Sequence, residues 1–189
     1  LLNQFITPKT ALASLDVQAQ AVLSITPAGF IFHLSRCGST LISGCLSELD
    51  TSCVFSESPV LTEILLDQTL NETSQKYCLQ QLIDLQASVF PSRPDVVIKW
   101  NAWDIFRWEL IRTIYPQVPV IFLVRNPVEI LASHQRLAGR HMSGDSVLAA
   151  HYPELAPPVK DENILDFRVR VLAALLTTME KHCHEVSVK

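Results

Sequence analysis

The stretch Gly29-Phe30-Ile31-Phe32-His33-Leu34-Ser35-Arg36-Cys37-Gly38-Ser39-Thr40-Leu41-Ile42-Ser43-Gly44 carries an apolar run through a short loop of small and polar residues into a second apolar pattern. Gly29 to Ser35 has the length and composition of a buried strand, and Leu41 to Leu49 has helical spacing. Three further runs repeat this order: Ser52 to Ser56, Asp95 to Trp100 and Val118 to Val124 read as buried strands. Each leads into a helical pattern, Val60 to Leu66, Trp103 to Ile114 and Pro127 to Leu137, and Thr73 to Val89 adds a helix between the second and third strands. Strand alternating with helix predicts an α/β fold, a three-layer arrangement in which a parallel sheet is flanked by helices.

A chain of 189 residues can bury a substantial core and is short enough for one domain, taken as 1–189. Hydrophobic residues make up 48% and charged ones 18%, which disfavours disorder. With 15 basic against 19 acidic residues and a formal net charge of -4, no nucleic-acid partner is expected, and an anionic ligand must meet a local positive site. The longest uncharged stretch, Val17 to Ser35, is interrupted by Gln18, Gln20, Ser24, Pro27 and His33, so no transmembrane segment is predicted. Nor do the first residues read as a secretory signal; lacking an initiator Met, the chain is expected to have lost an original N-terminus. Cys37, Cys45, Cys53, Cys78 and Cys183 are odd in number and contain no C-x-x-C pair, which points to a reducing, cytoplasmic setting. His182-Cys183-His184 reads as a polar helix end, and no metal is assigned.

In open parallel sheets ligands sit outside the carboxyl ends of the strands, and those ends here carry Arg36, Glu57, Lys99 with Asn101 just beyond, and Arg125. After the first strand, Arg36-Cys37-Gly38-Ser39-Thr40 precedes a helix, the geometry of an anion cradle: unpaired N–H groups, a Gly for close approach, two hydroxyls and a cation. It is not a Walker A loop, since Ser39 rather than Lys follows Gly38 and His33 stands where the first Gly would be. The Cys-x5-Arg spacing of a thiol phosphatase fails as well, because position 43 is Ser. In the fourth unit the strand ends at Arg125, Asn126 caps the next helix and Pro127 suits its first position. Ser133 then lies two turns in, on the face of Asn126 and Glu129, so that Arg125 and Ser133 could grip a second phosphate. Trp100, Trp103 and Trp108 read as core, as does the stripe Trp103, Phe106, Leu110, Ile111 and Ile114; His33 and His134 read as packed or exposed side chains outside the site.

These residues resemble the sulfotransferases that use 3'-phosphoadenosine 5'-phosphosulfate (PAPS) as donor, with a P-loop NTPase-like fold. Ser35 to Thr40 is similar to their 5'-phosphosulfate loop, and Phe122 to Ser133 to their 3'-phosphate motif, in which Arg and Ser stand eight residues apart as Arg125 and Ser133 do. The likeness covers roughly 29–137, and Lys99-Trp100-Asn101 with the Arg125-to-Glu129 run looks most like bacterial members. The resemblance implies transfer of a sulfuryl group from PAPS to a hydroxyl or amine of a small-molecule or carbohydrate acceptor. Arg36, Cys37, Gly38, Ser39 and Thr40 would hold the 5'-phosphosulfate, Arg36 also neutralising charge near the bridging oxygen, and Arg125 and Ser133 would recognise the 3'-phosphate. Well-known members place a His two residues beyond the third-strand Lys; here that position is Asn101, which cannot accept a proton. Other members use a carboxylate after the second strand, which makes Glu57 the expected base and Lys99 the group that stabilises the transferred sulfuryl.

Two alternatives remain at this level, a divergent ATP-dependent kinase and a catalytically silent nucleotide-binding domain. Beyond the motifs, Ala138-Gly139, Met142 to Asp145 and the prolines at 153, 157 and 158 predict an irregular, lid-like segment. Ile164, Phe167, Val171, Leu172 and Leu175 define one more helix, and Glu185 to Lys189 reads as a strand just beginning, so the fold is expected to continue past the chain's end. The basic, glycine-containing segment that completes the nucleotide pocket in many relatives has no match after Lys160.

Overall fold

The computed structural model describes residues 23–187, with side chains described as far as 185. Four strands form one all-parallel sheet: β1 (Gly29–His33), β2 (Ser52–Ser56), β3 (Asp95–Lys99) and β4 (Val120–Leu123), in the order β2-β3-β1-β4. The chain leaves β1 toward β2 on one side and later arrives at β4 on the other, so the carboxyl end of β1 is the point at which the connections diverge. Successive strand residues face opposite sides, and Phe30, Ile31, Phe32 and His33 are all buried; both faces of β1 are therefore covered, which is why its sequence is continuously apolar rather than alternating.

The flanking helices are α1 (Ser39–Ser47), α2 (Pro59–Leu66), α3 (Glu72–Ser88), α4 (Trp108–Ile114), α5 (Pro127–Arg136), α6 (Ser146–His151) and α7 (Ile164–Ser187). Trp100, Trp103 and Trp108 are core residues; Phe32 stacks on Trp100 with ring centroids 6.2 Å apart. Cys37, Cys45 and Cys53 are free thiols. Among the described residues no helix is long and apolar enough to cross a membrane.

Several boundaries differ from the sequence reading, each for a local reason. β1 stops at His33 because Ser35 and Arg36 take φ of 64° and 53°, left-handed geometry that cannot continue a strand. β3 ends at Lys99, and β4 is shorter at both ends, its last pairing being His33 with Leu123. The stretch expected as one helix from Trp103 divides into a 3-10 turn, Ala102–Arg107, and α4. Asn101 and Asp104 form a reciprocal capping box at the start of the turn.

The irregular segment is folded down by Met142, Leu148, Tyr152 and Leu155, all buried, through the short turns Arg140–Met142 and Pro153–Leu155 on either side of α6. The strand expected from Glu185 is instead the continuation of α7 as far as Ser187, residues 188 and 189 lying outside the described residues. Leu175, Met179 and His182 carry the buried stripe onward at helical spacing with no breaker to stop it. The His182-Cys183-His184 run is accordingly not wholly polar surface. His182 is buried against Trp108, ring centroids 4.8 Å apart and nearly parallel.

Candidate anion-binding and transfer site

Because the sheet is parallel, all four strand ends open on one edge, and the loop after β1 occupies its centre. Left-handed conformations at Ser35, Arg36 and Gly38 (φ 87°) curl this loop over the strand end, the kind of turn in which backbone N–H groups face a common concave side. Left-handed geometry at two residues that are not glycine costs energy and marks a constrained turn. α1 then begins at Ser39 with Gly38 as its cap. No side chain caps it, and its first turn holds no acid to complement the positive end of the helix dipole. An anion placed there would satisfy groups that the chain leaves open.

On one side of this loop stand the ends of β2 and β3. Register pairs Lys99 with Ile31 of β1 and Ser56 of β2, so these three and His33, two residues past Ile31, share one face of the sheet. Lys99 is 2% exposed, and its Nζ lies 2.6 Å from Glu57 Oε1, 3.4 Å from Ser56 Oγ and 3.5 Å from Thr40 Oγ1 at the start of α1. Strand β3 lies between β1 and β2, so Glu57 must lean back across it to meet His33. It does so through a left-handed turn of its own, φ 52°, with its N–H donating to the Lys99 carbonyl at 2.7 Å. Glu57 Oε1 thereby comes 3.3 Å from His33 Nε2, close enough for charge to act but not aligned as a hydrogen bond. The Lys99 contact is the stronger by geometry. The His33 imidazole and the Lys99 ammonium hold the Glu57 carboxyl down at about 2, against partial burial that works the other way. Burial depresses His33, but Cys37 and Glu57 beside it prevail and raise it; burial likewise raises Cys37, and the His33 imidazole with the Ser39 and Leu34 backbone more than reverses this.

On the other side, between β1 and β4, stand the two arginines. Arg125 Nε pairs with Glu129 Oε2 at 2.5 Å and its Nη1 donates to the Arg36 carbonyl at 3.1 Å, so the end of β4 is tied directly to the loop. Arg36 itself reaches the far end of α5, donating from Nη2 to the Leu137 carbonyl at 2.8 Å, and its buried Nε has no partner. Ser133 is half-buried one turn beyond Glu129 on the same stripe of α5. The predicted residues thus fall into two groups joined by Cys37, Gly38 and Ser39: Thr40, Glu57 and Lys99 in direct contact or close to it, and Arg36, Arg125 and Ser133 along α5. No contact joins Arg36 to Lys99 among the described residues.

His33 and Ser56 were not recognised in the sequence. The available signal was a polar residue at the carboxyl end of an otherwise apolar strand. Asn101 faces away from this chemistry, its Nδ2 donating to Thr62 Oγ1 at 2.6 Å and to Asp104 Oδ2 at 3.2 Å. His134 is packed as expected, and burial, with the charges of Arg36 and Arg168, holds it at about 4. Elsewhere, Glu109, His182 and Glu185 each place one ligand-type atom within 4.8 Å of the others, a grouping unseen in the sequence. Lys181 already supplies a cation there, at 3.7 Å and 4.0 Å from the two carboxylates. A groove of about 460 Å³ lined by Leu23, Ile25, Ala87, Phe90 and Val96 opens at the amino end of β3 and is separate from the anion loop.

Compared with known proteins, the chain matches no family model, no curated protein and no solved structure.

Proposed function

We propose that this chain is a sulfuryl-transfer domain of P-loop NTPase-like, sulfotransferase type that takes PAPS as donor and a hydroxyl or amine of a small molecule or carbohydrate as acceptor, in a cytoplasmic setting. The observation that carries the reading is Lys99. A buried ammonium beside the open amino end of α1 and in contact with a carboxylate combines an anion cradle, a cation and a proton acceptor within one side-chain length. The 5'-phosphosulfate would rest on Gly38, Ser39 and Thr40, and the 3'-phosphate against Arg125 and Ser133, with Arg36 between the two.

In the transfer step the acceptor oxygen attacks sulfur as the bond from sulfur to the bridging oxygen breaks, and that electron pair leaves with the 5'-phosphate. The acceptor proton passes to Glu57. His33 and Lys99 both approach Oε1, so Oε2, without a partner among the described residues, is the oxygen left to receive it. In-line transfer of this kind depends on positioning and charge stabilisation more than on covalent help. A carboxyl held at about 2 is a weak base, and general bases work best near the ambient pH. Glu57 becomes a better base when Lys99 turns from it toward the transferring group, a move of one hydrogen bond because Thr40 Oγ1 is already 3.5 Å from Nζ, while His33 continues to hold its basicity down. Magnesium-dependent kinase chemistry is less well served, since the carboxylate nearest the loop is already engaged by Lys99. The low basicity of Glu57 also favours, as a second reading, a nucleotide-binding domain without turnover.

Calorimetry with 3'-phosphoadenosine 5'-phosphate tests the donor site. Arg125→Ala should weaken this nucleotide about tenfold or more and leave AMP unchanged, because one charged contact to the 3'-phosphate is lost. Equal binding of the two nucleotides by the unaltered protein contradicts the assignment. Glu57→Gln should abolish transfer while sparing nucleotide affinity, and wild-type turnover in that variant removes Glu57 as base.

A further inference from the structure

Glu57 is held by two partners on one oxygen, and the two differ in kind. Lys99 Nζ has other acceptors within reach, Thr40 Oγ1 and Ser56 Oγ, and sits on a flexible stem. His33 is 4% exposed and is fixed from behind: the Ser35 amide donates to its Nδ1 at 2.9 Å. That amide is presented by the left-handed turn at Ser35, and a backbone N–H can only donate. With Nδ1 occupied as an acceptor, the neutral ring carries its proton on Nε2, the nitrogen 3.3 Å from Glu57 Oε1.

We propose that His33 is the positioning residue for Glu57, locked by the Ser35 amide into the tautomer that presents Nε2–H to Oε1, and that it keeps this carboxylate aimed while Lys99 turns to the incoming sulfuryl group. This rests on the reading of Glu57 as the base. The 3.3 Å contact is long because Lys99 holds the same oxygen at 2.6 Å; with Lys99 withdrawn, Glu57 closes on His33, as resting catalytic contacts commonly tighten once substrate binds. A second, lasting partner is needed, since an unheld carboxylate on an exposed turn would sample other rotamers and leave Oε2 unaligned with the acceptor. The titratable groups facing His33 are Cys37 from the loop, Glu57 from the end of β2 and Lys99 from β3, with Asp104 and His141 farther off. Protonation of His33, which Cys37 and Glu57 favour, would set a second N–H against that of Ser35, so the working state is assigned to Nε2–H donation from the neutral ring.

The experiment joins a direct and a kinetic readout. In the wild-type protein, imidazole nitrogen NMR followed as the pH is raised should show His33 as the neutral Nε2–H tautomer at the pH of maximal transfer, although Cys37 and Glu57 raise its pKa; an Nδ1–H tautomer, or a ring still protonated at that pH, overturns the proposal. His33→Phe keeps a ring and removes both nitrogens. It should lower kcat by about tenfold or more, leave the affinity for 3'-phosphoadenosine 5'-phosphate and the donor KM unchanged, and move the acid limb of the pH–rate profile upward. His33→Gln, whose amide N–H reaches a similar point, should recover kcat to within about threefold of wild type, which a packing role would not produce. If wild type transfers sulfuryl groups and His33→Phe keeps its kcat, the positioning role is refuted while the transfer reading stands. If wild type does not bind the bisphosphate nucleotide, the transfer reading itself falls, and the role of His33 falls with it.

Discussion

Truncating Lys99 and truncating Glu57 remove the same ion pair but should not cost the same. Lys99 is 2% exposed and Glu57 42% exposed, so the two truncations leave different groups behind. Glu57→Ala strands an ammonium in the interior with two hydroxyls, at 3.4 Å and 3.5 Å, as its remaining partners among the described residues, and breaking a buried pair in this way costs about 3–5 kcal/mol. The two hydroxyls place the expected loss near the low end, about 3 kcal/mol. Lys99→Met fills the volume of the stem, removes the buried charge, and leaves a carboxylate that water can reach and His33 still faces; its cost should stay below about 1 kcal/mol. Urea unfolding at neutral pH measures both, and the double variant should fall close to Lys99→Met, about 2 kcal/mol above Glu57→Ala. If Lys99→Met proves as damaging as Glu57→Ala, the pair does not have the one-sided burial described, and the view of Lys99 as the exchangeable partner loses its basis.

Two predictions concern pH. Asp104, 1% exposed and pushed by burial to about 7 despite donation from Asn101 and Thr62, keeps its proton when folded where the unfolded chain has lost it. Its contribution to stability therefore falls as pH rises from about 4 to about 7 and is flat above. The difference in unfolding free energy between Asp104→Asn and wild type should grow by about 3 kcal/mol between pH 4 and pH 8, and a difference independent of pH would rule this out. His141 is the opposite case. Burial, with the charge on His134, holds it at about 3, so the folded state resists protonation and stability is lost as pH falls below about 6.5. Relative to wild type, His141→Leu should gain about 2 kcal/mol between pH 7 and pH 5, measured by the same unfolding assay; no gain would mean that water reaches the ring.

The order of strands and helices was legible because burial on both faces of a sheet forces continuous apolar runs, and Phe30, Ile31 and Phe32 supply one. The loop chemistry was legible because Gly38, Ser39 and Thr40 stand next to one another in the chain. What could not be read was any feature that depends on a backbone angle at an ordinary residue. Left-handed turns at Ser35, Arg36 and Glu57 are not implied by Ser, Arg or Glu, yet they end β1, aim the Ser35 amide at His33 and bring Glu57 across β3. A 3-10 turn keeps polar and apolar positions close to helical spacing, so the break before Trp108 was hidden as well.

Local composition was thus enough for the α/β alternation, the core tryptophans and the polar strand ends. The grouping of those ends into a Glu57, Lys99 and His33 contact on one side and an Arg36 and Arg125 contact on the other came from the order β2-β3-β1-β4, which sets Lys99 between two residues distant from it in the chain. Strand order is a property of how non-local surfaces pack, and no spacing along the chain encodes which strand lies in the middle.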